Sequence, residues 1–246
     1  MILTHGANSI DAGGSFEPVP DNIELHEYFE KVSGSYFDMP EITTSLYDKT
    51  INNKFTIKGG FSLKIAEGNT TTIIGFPAQN SVNGNIELKL RNYTSNGYFM
   101  LQSRKIGNNT SQSTYPYIEQ HINTSDADYF NRFVEFSIFE DKLVLDGVTY
   151  NYNNVSQSNL SEVVKLGGWR LQQSNFGNDS KFYPIEIYEP DGTLFDRIYP
   201  AYNETTGDKG IYSFRLVQFF YDYTGTSINN IALGPVVSNF LTENKL

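Results

Sequence analysis

The chain has 246 residues, no cysteine and a formal net charge of −10, and these features exclude several classes of protein. Without cysteine there is neither a disulfide framework nor a thiolate metal site. The negative charge repels phosphate backbones, so nucleic acid is not an expected partner. No run approaches the ~18 apolar residues that cross a bilayer, so membrane insertion is not expected. An aromatic share of 15 %, with many Asn, Thr, Ser and Gly residues between short apolar runs, predicts an all-β protein.

Residues 1–50 differ from the rest of the chain in composition, because glycine and proline interrupt them early. Only residues 23–32 have helical spacing. This stretch is interpreted either as a short amphipathic helix with Leu25 and Phe29 on its apolar side, or as an irregular packed segment. The whole segment is predicted to be an extended N-terminal arm, followed by one domain formed by residues 51–246.

From Lys54 onward apolar and polar residues alternate with a period of two, which is typical of half-buried β-strands. Strands are predicted at 55–57, 61–65, 72–76, 86–91, 98–101, 134–138, 143–145, 148–152, 163–166, 183–188, 194–199, 210–216 and 219–223. Gly59 and Gly60 are interpreted as a bulge or bend between the first two strands. Turns are predicted at Asn96-Gly97, Glu140-Asp141, Asp146-Gly147 and Pro190-Asp191-Gly192. Many short strands without a helix of crossover length predict a two-sheet antiparallel sandwich.

A long polar loop is predicted over residues 106–123, and loops of this length in compact domains are often functional. Sugar rings stack on aromatic faces, while amide side chains bond sugar hydroxyl groups. The candidate carbohydrate-binding residues are therefore Trp169, Tyr115, Tyr117, Asn108 and Asn109. The alternatives are that Trp169 is a core residue at a strand end, and that the two tyrosines anchor the loop against the sandwich.

The strongest candidates for catalytic carboxylates are Glu186, Glu189 and Asp191. A retaining glycosidase needs two carboxyl groups about 5–5.5 Å apart, but Glu186 and Glu189 are three residues apart on a strand and face opposite sides. Glu189 and Asp191 flank a turn, where acidic residues bond the backbone. The three histidines lack the spacing of metal ligands. No catalytic residue, metal or cofactor is predicted, and the chain is not expected to be an enzyme.

The second half of the chain resembles a known family in several motifs. They are Lys142-Leu-Val-Leu-Asp-Gly-Val148, Lys165-Leu-Gly-Gly168, residues 182–195, Tyr199-Pro200-Ala201-Tyr202 and Gly210-Ile211-Tyr212. They resemble laminin-G-like (concanavalin A-like) jelly-roll domains, and more closely those of bacteriophage virion proteins. The likeness covers about residues 55–235 in pattern and about 140–215 in motif. The opening residues 2–9 also resemble the start of structural proteins of crAss-like gut phages.

The resemblance implies an all-β, two-sheet antiparallel jelly-roll sandwich displayed on a virion, as a head fibre, decoration or tail-associated component. The N-terminal arm would dock to other virion proteins, through Leu3, Thr4, His5 and Asn8. A homo-oligomer is expected, with the trimer as the assumed form, and cell-surface glycans are expected ligands. The alternatives are a free-standing carbohydrate-binding lectin-like module and a glycoside hydrolase.

The chain departs from the family at two points. Tyr199 occupies a position where family members usually carry cysteine or another small residue. The acidic and Asn ligands that bind calcium in some laminin-G-like domains have no counterpart that can be placed in this sequence, so no calcium site is predicted.

Overall fold

A computed structural model describes ten stretches of the chain, namely residues 18–31, 37–38, 55–64, 70–77, 85–104, 117–125, 129–153, 170–171, 180–220 and 231–237. Within them the chain is almost entirely β, and the one helical element is a 3₁₀ turn of three residues at Thr94–Asn96. No helix in the described stretches is long and apolar enough to cross a membrane. The predicted all-β class is confirmed.

Eighteen strands follow one another along the described chain. They are β1 (Ile23–Leu25), β2 (Phe29–Lys31), β3 (Phe37–Asp38), β4 (Thr56–Ser62), β5 (Thr70–Pro77), β6 (Asn85–Tyr93), β7 (Tyr98–Arg104), β8 (Tyr117–Asn123), β9 (Phe133–Ile138), β10 (Lys142–Leu145), β11 (Val148–Asn151), β12 (Arg170–Leu171), β13 (Lys181–Phe182), β14 (Ile185–Tyr188), β15 (Leu194–Asn203), β16 (Asp208–Ser213), β17 (Gln218–Phe220) and β18 (Ile231–Leu233).

The strands form two main antiparallel sheets and one small pair. The large sheet has twelve strands, eight of them in the order β11-β10-β9-β4-β14-β15-β16-β17, with β1, β2, β13 and β18 attached. The small sheet has the order β5-β6-β7-β8, and β3 pairs with β12. The predicted turns at 96–97 and 146–147 join β6 to β7 and β10 to β11, with positive φ at Gly97, Asp146 and Gly147. A tight turn at such a position favours Gly, Asn or Asp.

One core lies between the two main sheets. It contains Ile57 and Ile138 of the large sheet together with Leu88, Leu101 and Ile122 of the small sheet. The hydroxyl groups of Ser103 and Tyr152 also bond across the core at 2.6 Å, one from each side. Two facing antiparallel sheets around one core confirm the predicted two-sheet antiparallel jelly-roll sandwich.

The glycine pair in β4 is not the bend or bulge that the sequence predicted. The strand runs through it without interruption and pairs with β9 along its length. Gly59 faces the core, where a Cβ atom would lie 2.7 Å from the ring of Phe136, and Gly60 faces outward, where a Cβ atom would lie 2.5 Å from the ring of Phe133. The two glycines therefore make room for two aromatic rings on opposite sides of the sheet.

Residues 23–32 were predicted to be a short helix or an irregular segment, and both predictions are wrong. β1 pairs with β15, and β2 lies between β13 and β18. Leu25 packs in a second apolar cluster with Ala201, whereas Phe29 stacks on Phe182 in the main core, at 5.2 Å between ring centroids. The spacing of four residues that resembled a helix joins side chains of two neighbouring strands.

The two ends of the described chain meet at one corner of the large sheet. The backbone N–H of Val237 donates to the carbonyl oxygen of Leu25 at 2.9 Å. The imidazole Nδ1 of His26 lies 2.7 Å from the carbonyl oxygen of Gly234. Val19 packs against the same apolar cluster as Val237. Part of the segment predicted to be an arm is thus built into the sandwich.

The predicted loop over residues 106–123 ends in a strand, since β8 occupies residues 117–123 and pairs with β7. Its two buried side chains, Ile118 and Ile122, are four residues apart, and Gln120 between them is exposed. The period-two signal is therefore missing from this strand. The strand predicted at 163–166 lies outside the described residues.

Candidate functional site

The outer face of the small sheet carries the side chains that point away from the core. Alternation along the strands sends Leu88, Leu90 and Phe99 inward and leaves their neighbours on the other side. We call this surface the small-sheet face; its described side chains on β6, β7 and β8 are Lys89, Arg91, Tyr93, Tyr98, Met100, Gln102, Tyr117, Glu119, His121 and Asn123. All of them are exposed or half-buried.

Three rings form a row across this face. The ring centroids of Tyr93 and Tyr98 lie 5.3 Å apart, and those of Tyr98 and His121 lie 4.6 Å apart in a stacked arrangement with an interplanar angle of 20°. The row arises because the β6–β7 hairpin places Tyr93 directly opposite Tyr98, while β8 adds His121 beside them. Such ring contacts are each worth about 0.5–1.5 kcal/mol. The row therefore holds its own geometry before any ligand binds.

Polar and charged side chains lie beside the row. The Gln102 amide donates to the Glu119 carboxylate at 3.1 Å. The guanidinium carbon of Arg91 lies 4.7 Å from the ring centroid of Tyr93, and its Nε is buried without a hydrogen-bond partner among the described residues. The rings can stack on a flat apolar surface of a ligand. The amide, carboxylate and guanidinium groups beside them can form hydrogen bonds with polar groups at the edge of that ligand.

Of the five predicted carbohydrate-binding residues, the structure describes only Tyr117. It is half-buried on the small-sheet face, and its backbone forms two hydrogen bonds with Asn153, of 3.3 and 2.9 Å. It lies four residues from His121 on the same strand, which is about 13 Å along β8, so the aromatic row is at the other end of the face. The other predicted residues lie outside the described part of the chain, and these are Trp169, Tyr115, Asn108 and Asn109, together with the docking residues Leu3, Thr4, His5 and Asn8.

The site residues predicted from the sequence did not include Arg91, Tyr93, Tyr98 or His121. The pairing of Tyr93 with Tyr98 could have been predicted, because the Asn96-Gly97 turn and the alternating residues on either side of it fix which residues of the hairpin lie opposite each other. His121 was hidden by the interpretation of its strand as a loop.

Glu186 lies on the outer face of the large sheet, with its carboxylate bonded on both oxygens. It accepts hydrogen bonds from the Tyr188 hydroxyl and from Arg197 Nε, the latter at 3.0 Å. Burial raises the pKa of Tyr188, and the hydrogen bond to Glu186 raises it further. The Nζ of Lys58 lies 4.5 Å from the Tyr188 ring centroid. Lys58 and Arg197 therefore lie around one carboxylate and one phenol, and both oxygens of that carboxylate accept hydrogen bonds from neighbouring side chains.

The two other candidate carboxylates lie at the turn that was predicted at Pro190-Asp191-Gly192. The Asp191 carboxylate accepts the Thr193 backbone N–H at 2.9 Å, and the Glu189 backbone closes the turn through bonds of 2.8 and 2.9 Å with Thr193 and Gly192. The predicted turn is confirmed. Within the described stretches no group of three or more His, Cys, Asp or Glu side chains could hold a metal ion.

Comparison with known proteins gives matches among solved structures, but no family model and no curated protein matches the chain. A GH16 protein of the Bacteroides ovatus mixed-linkage glucan PUL, solved with a G4G4G3G product, is 11 % identical over 71 % of this chain and 92 % of its own, with a TM-score of 0.40. The galectin LEC-6 of Caenorhabditis elegans is 8 % identical over 63 % and 96 %, with a TM-score of 0.32. The heptameric SAP-like pentraxin of Limulus polyphemus is 10 % identical over 74 % and 76 %, with a TM-score of 0.37. Similarity at this level concerns the general strand arrangement and not ligand or activity.

Proposed function

We propose that the chain is a carbohydrate-binding jelly-roll protein of a bacteriophage virion, displayed as a head fibre, decoration or tail-associated component and attaching to glycans of the host surface. The binding half of this proposal rests on one observation, the row of Tyr93, Tyr98 and His121 on the small-sheet face. The virion half rests on the sequence resemblance.

The aromatic row suits a sugar because pyranose rings have apolar C–H faces and polar rims. A phenol or imidazole ring supplies the apolar contact, and the side chains of Gln102, Glu119 and Asn123 on the next positions supply donors and acceptors for hydroxyl groups. All these side chains stand on paired strands of one sheet. Rigid elements hold a site with less loss of conformational entropy on binding than a mobile loop does.

The motifs that resemble phage virion proteins, apart from residues 165–168 outside the described part of the chain, lie on the other sheet. Residues 142–148 form the β10–β11 hairpin, and residues 182–212 include β14, β15 and most of β16, all in the large sheet. In this proposal the large sheet is the shared scaffold, and the small sheet carries the residues that select the ligand.

The binding half is tested on a bacterial glycan array, followed by calorimetric titration of the best ligand. Tyr98→Ala removes the central ring and should weaken binding about tenfold, the size of one ring contact of about 1.4 kcal/mol. Tyr188→Ala is the matched control, a half-buried tyrosine on the opposite sheet, and should bind as the parent protein does. Absence of binding to every glycan on the array, or an equal loss of affinity in both variants, would refute the binding proposal.

The virion half is tested by mass spectrometry of purified phage particles, in which the chain should be present. Removal of residues 1–17 should leave the sandwich folded and abolish incorporation if the arm docks to the particle. A longer deletion to residue 50 would also remove β1 and β2 from the large sheet. Unchanged incorporation of the shortened chain would overturn the docking arm. Absence of the full chain from particles would favour the second candidate, a free-standing lectin-like module.

The proposed trimer is tested by light scattering on the purified chain. A mass of three chains supports it, and any other mass replaces the trimer with the oligomer measured. The wealth of Tyr and Phe, 17 and 18 residues, suits subunit packing because aromatic residues are enriched at interfaces.

A further inference from the structure

We propose that the ligand of the small-sheet face is an acidic polysaccharide, and that Arg91 binds the carboxylate of one of its uronic acid residues. This inference rests on the proposed carbohydrate-binding function and specifies the ligand class.

Arg91 is an arginine without an acidic partner in the described part of the chain. It lies on β6, with Thr70 of β5 and Met100 of β7 as its cross-strand neighbours. Its guanidinium group lies over the Tyr93 ring, and its Nε is buried with no acceptor among the described residues. A buried donor without an acceptor costs free energy. An incoming carboxylate would satisfy it and could form the two parallel hydrogen bonds that the guanidinium fork favours.

Three cations elsewhere on the sandwich are paired with acids. Arg197 Nε lies 3.0 Å from Glu186, and Lys181 Nζ lies 3.6 Å from Glu30. Arg132 likewise bonds Asp146 at 2.5 Å. Arg91 differs from these three in that its Nε is buried with no hydrogen-bond partner among the described residues, and it lies on the same face as the aromatic row.

The charge of the face is also unlike that of the whole chain, which carries −10. Lys89 and Arg91 are cationic, and the one described carboxylate, Glu119, is hydrogen-bonded to Gln102. The described ionised side chains of the face, two cations and one carboxylate, sum to one positive charge, which favours anions at this surface.

Anion and ring contacts can be made by the same ligand. Arg91, Met100 and His121 are cross-strand neighbours, so Arg91 and His121 are two strand spacings apart, about 10 Å, with Tyr93 and Tyr98 in the adjoining position. A ligand that fills this area carries a ring and an acidic group together, which is the chemistry of a uronic acid. A nucleic acid would bring a continuous line of phosphates to an acidic protein, and the net charge opposes that.

The test is calorimetric titration of the full chain with polygalacturonate and with the same polymer after chemical reduction of its carboxyl groups. The parent protein should bind the acidic polymer at least tenfold more tightly, and its affinity should fall with added salt. Arg91→Gln should lose about tenfold to hundredfold for the acidic polymer, as expected for charge-assisted hydrogen bonds, and nothing for the reduced one. Arg91→Lys keeps the charge without the fork and should recover part of the loss. Lys142→Gln removes the same charge from the opposite sheet and should have no effect.

Several outcomes separate this inference from the proposed function. If a neutral polymer binds, and Tyr98→Ala weakens it while Arg91→Gln does not, carbohydrate binding stands and the acidic ligand is overturned. Equal affinity for the acidic and the reduced polymer overturns it as well. A sulfated or phosphorylated polymer that binds more tightly than the uronate, through Arg91, overturns the carboxylate assignment. If no polymer binds at all, the proposed function fails and this inference with it.

Discussion

The two outer faces of the sandwich contain similar residue types but differ in how their polar groups are bonded. We call the outer surface of β4, β13, β14 and β15 the large-sheet face. There the ionic groups bond neighbouring side chains, since Glu186 accepts hydrogen bonds from Arg197 and Tyr188. The Nζ of Lys181 similarly donates to the Tyr28 hydroxyl at 3.2 Å. On the small-sheet face the Nε of Arg91 is buried with no hydrogen-bond partner among the described residues. A list of charges and rings would not separate the two faces, whereas their hydrogen bonds do.

The largest expected effect is alkaline destabilisation that originates on the large-sheet side. Burial raises the pKa of Tyr199 to about 12 and that of Tyr212 to about 12, against ~10 in an unfolded chain. Between pH 10 and 12 the unfolded chain therefore binds fewer protons than the folded one, so the free energy of unfolding falls as pH rises. The stabilisation is complete below pH 10, and the loss is about 1.4 kcal/mol per pH unit for each such tyrosine.

Urea unfolding from pH 9 to 11.5 measures this loss. Tyr212→Phe should make the pH dependence shallower, and should not lower stability at pH 7, because the Tyr212 hydroxyl is buried with no partner among the described residues. A free energy of unfolding that stays constant up to pH 11.5 would contradict the burial argument.

A smaller loss is expected from Gly60→Val, which tests whether the two faces are independent. The new side chain would collide with the Phe133 ring, which is packed edge-on against Tyr183 at 4.7 Å. Overpacking of this kind costs about 1–3 kcal/mol. Thr56→Val, on the same strand and the same side, is the control and should change stability little. Carbohydrate affinity should be unchanged in both variants, and a selective loss of affinity in Gly60→Val would show that the faces are coupled.

The smallest effect is expected from Glu186→Gln, which breaks an ion pair whose side chains are 31 % and 29 % exposed. Partly exposed pairs contribute up to about 1 kcal/mol, so the midpoint of urea unfolding should shift slightly. Glycan affinity should not change, and no release of reducing sugar is expected from the parent or the variant. Glu119→Gln is the counterpart on the small-sheet face and should raise affinity for the acidic polymer. Release of sugar that disappears in Glu186→Gln would establish a hydrolase instead.

The parts of the fold that follow a regular local pattern were predicted from the sequence. In β6, Leu88 and Leu90 alternate with Lys89 and Arg91, and the hairpin β10–β11 turns at Asp146-Gly147 as expected. Strands with an irregular burial pattern were not predicted. β8 buries only Ile118 and Ile122, and such a spacing carries no period-two signal.

The candidate site was predictable only in part, because it is assembled across strands. Tyr117 was placed in a loop, yet it lies on the small-sheet face. Bringing Tyr93, Tyr98 and His121 together requires the register of three strands. The first pairing follows from a two-residue turn signal. The second pairing, of β7 with β8, follows a connection over residues 105–116. No local rule predicts the register of two strands from a connection of that length.

The hydrogen bond between Leu25 and Val237 brings two distant parts of the chain together at one corner of the large sheet. Because Val19 and Val237 pack against one apolar cluster at a corner of the large sheet, the stretch between them should tolerate insertion into a surface loop of another polypeptide. For the same reason, a variant that joins residues 19 and 237 by a short linker and opens new ends at Asp146-Gly147 should form a circular permutant with the same sheets. Such rearrangements would leave the small-sheet face and its row of rings untouched.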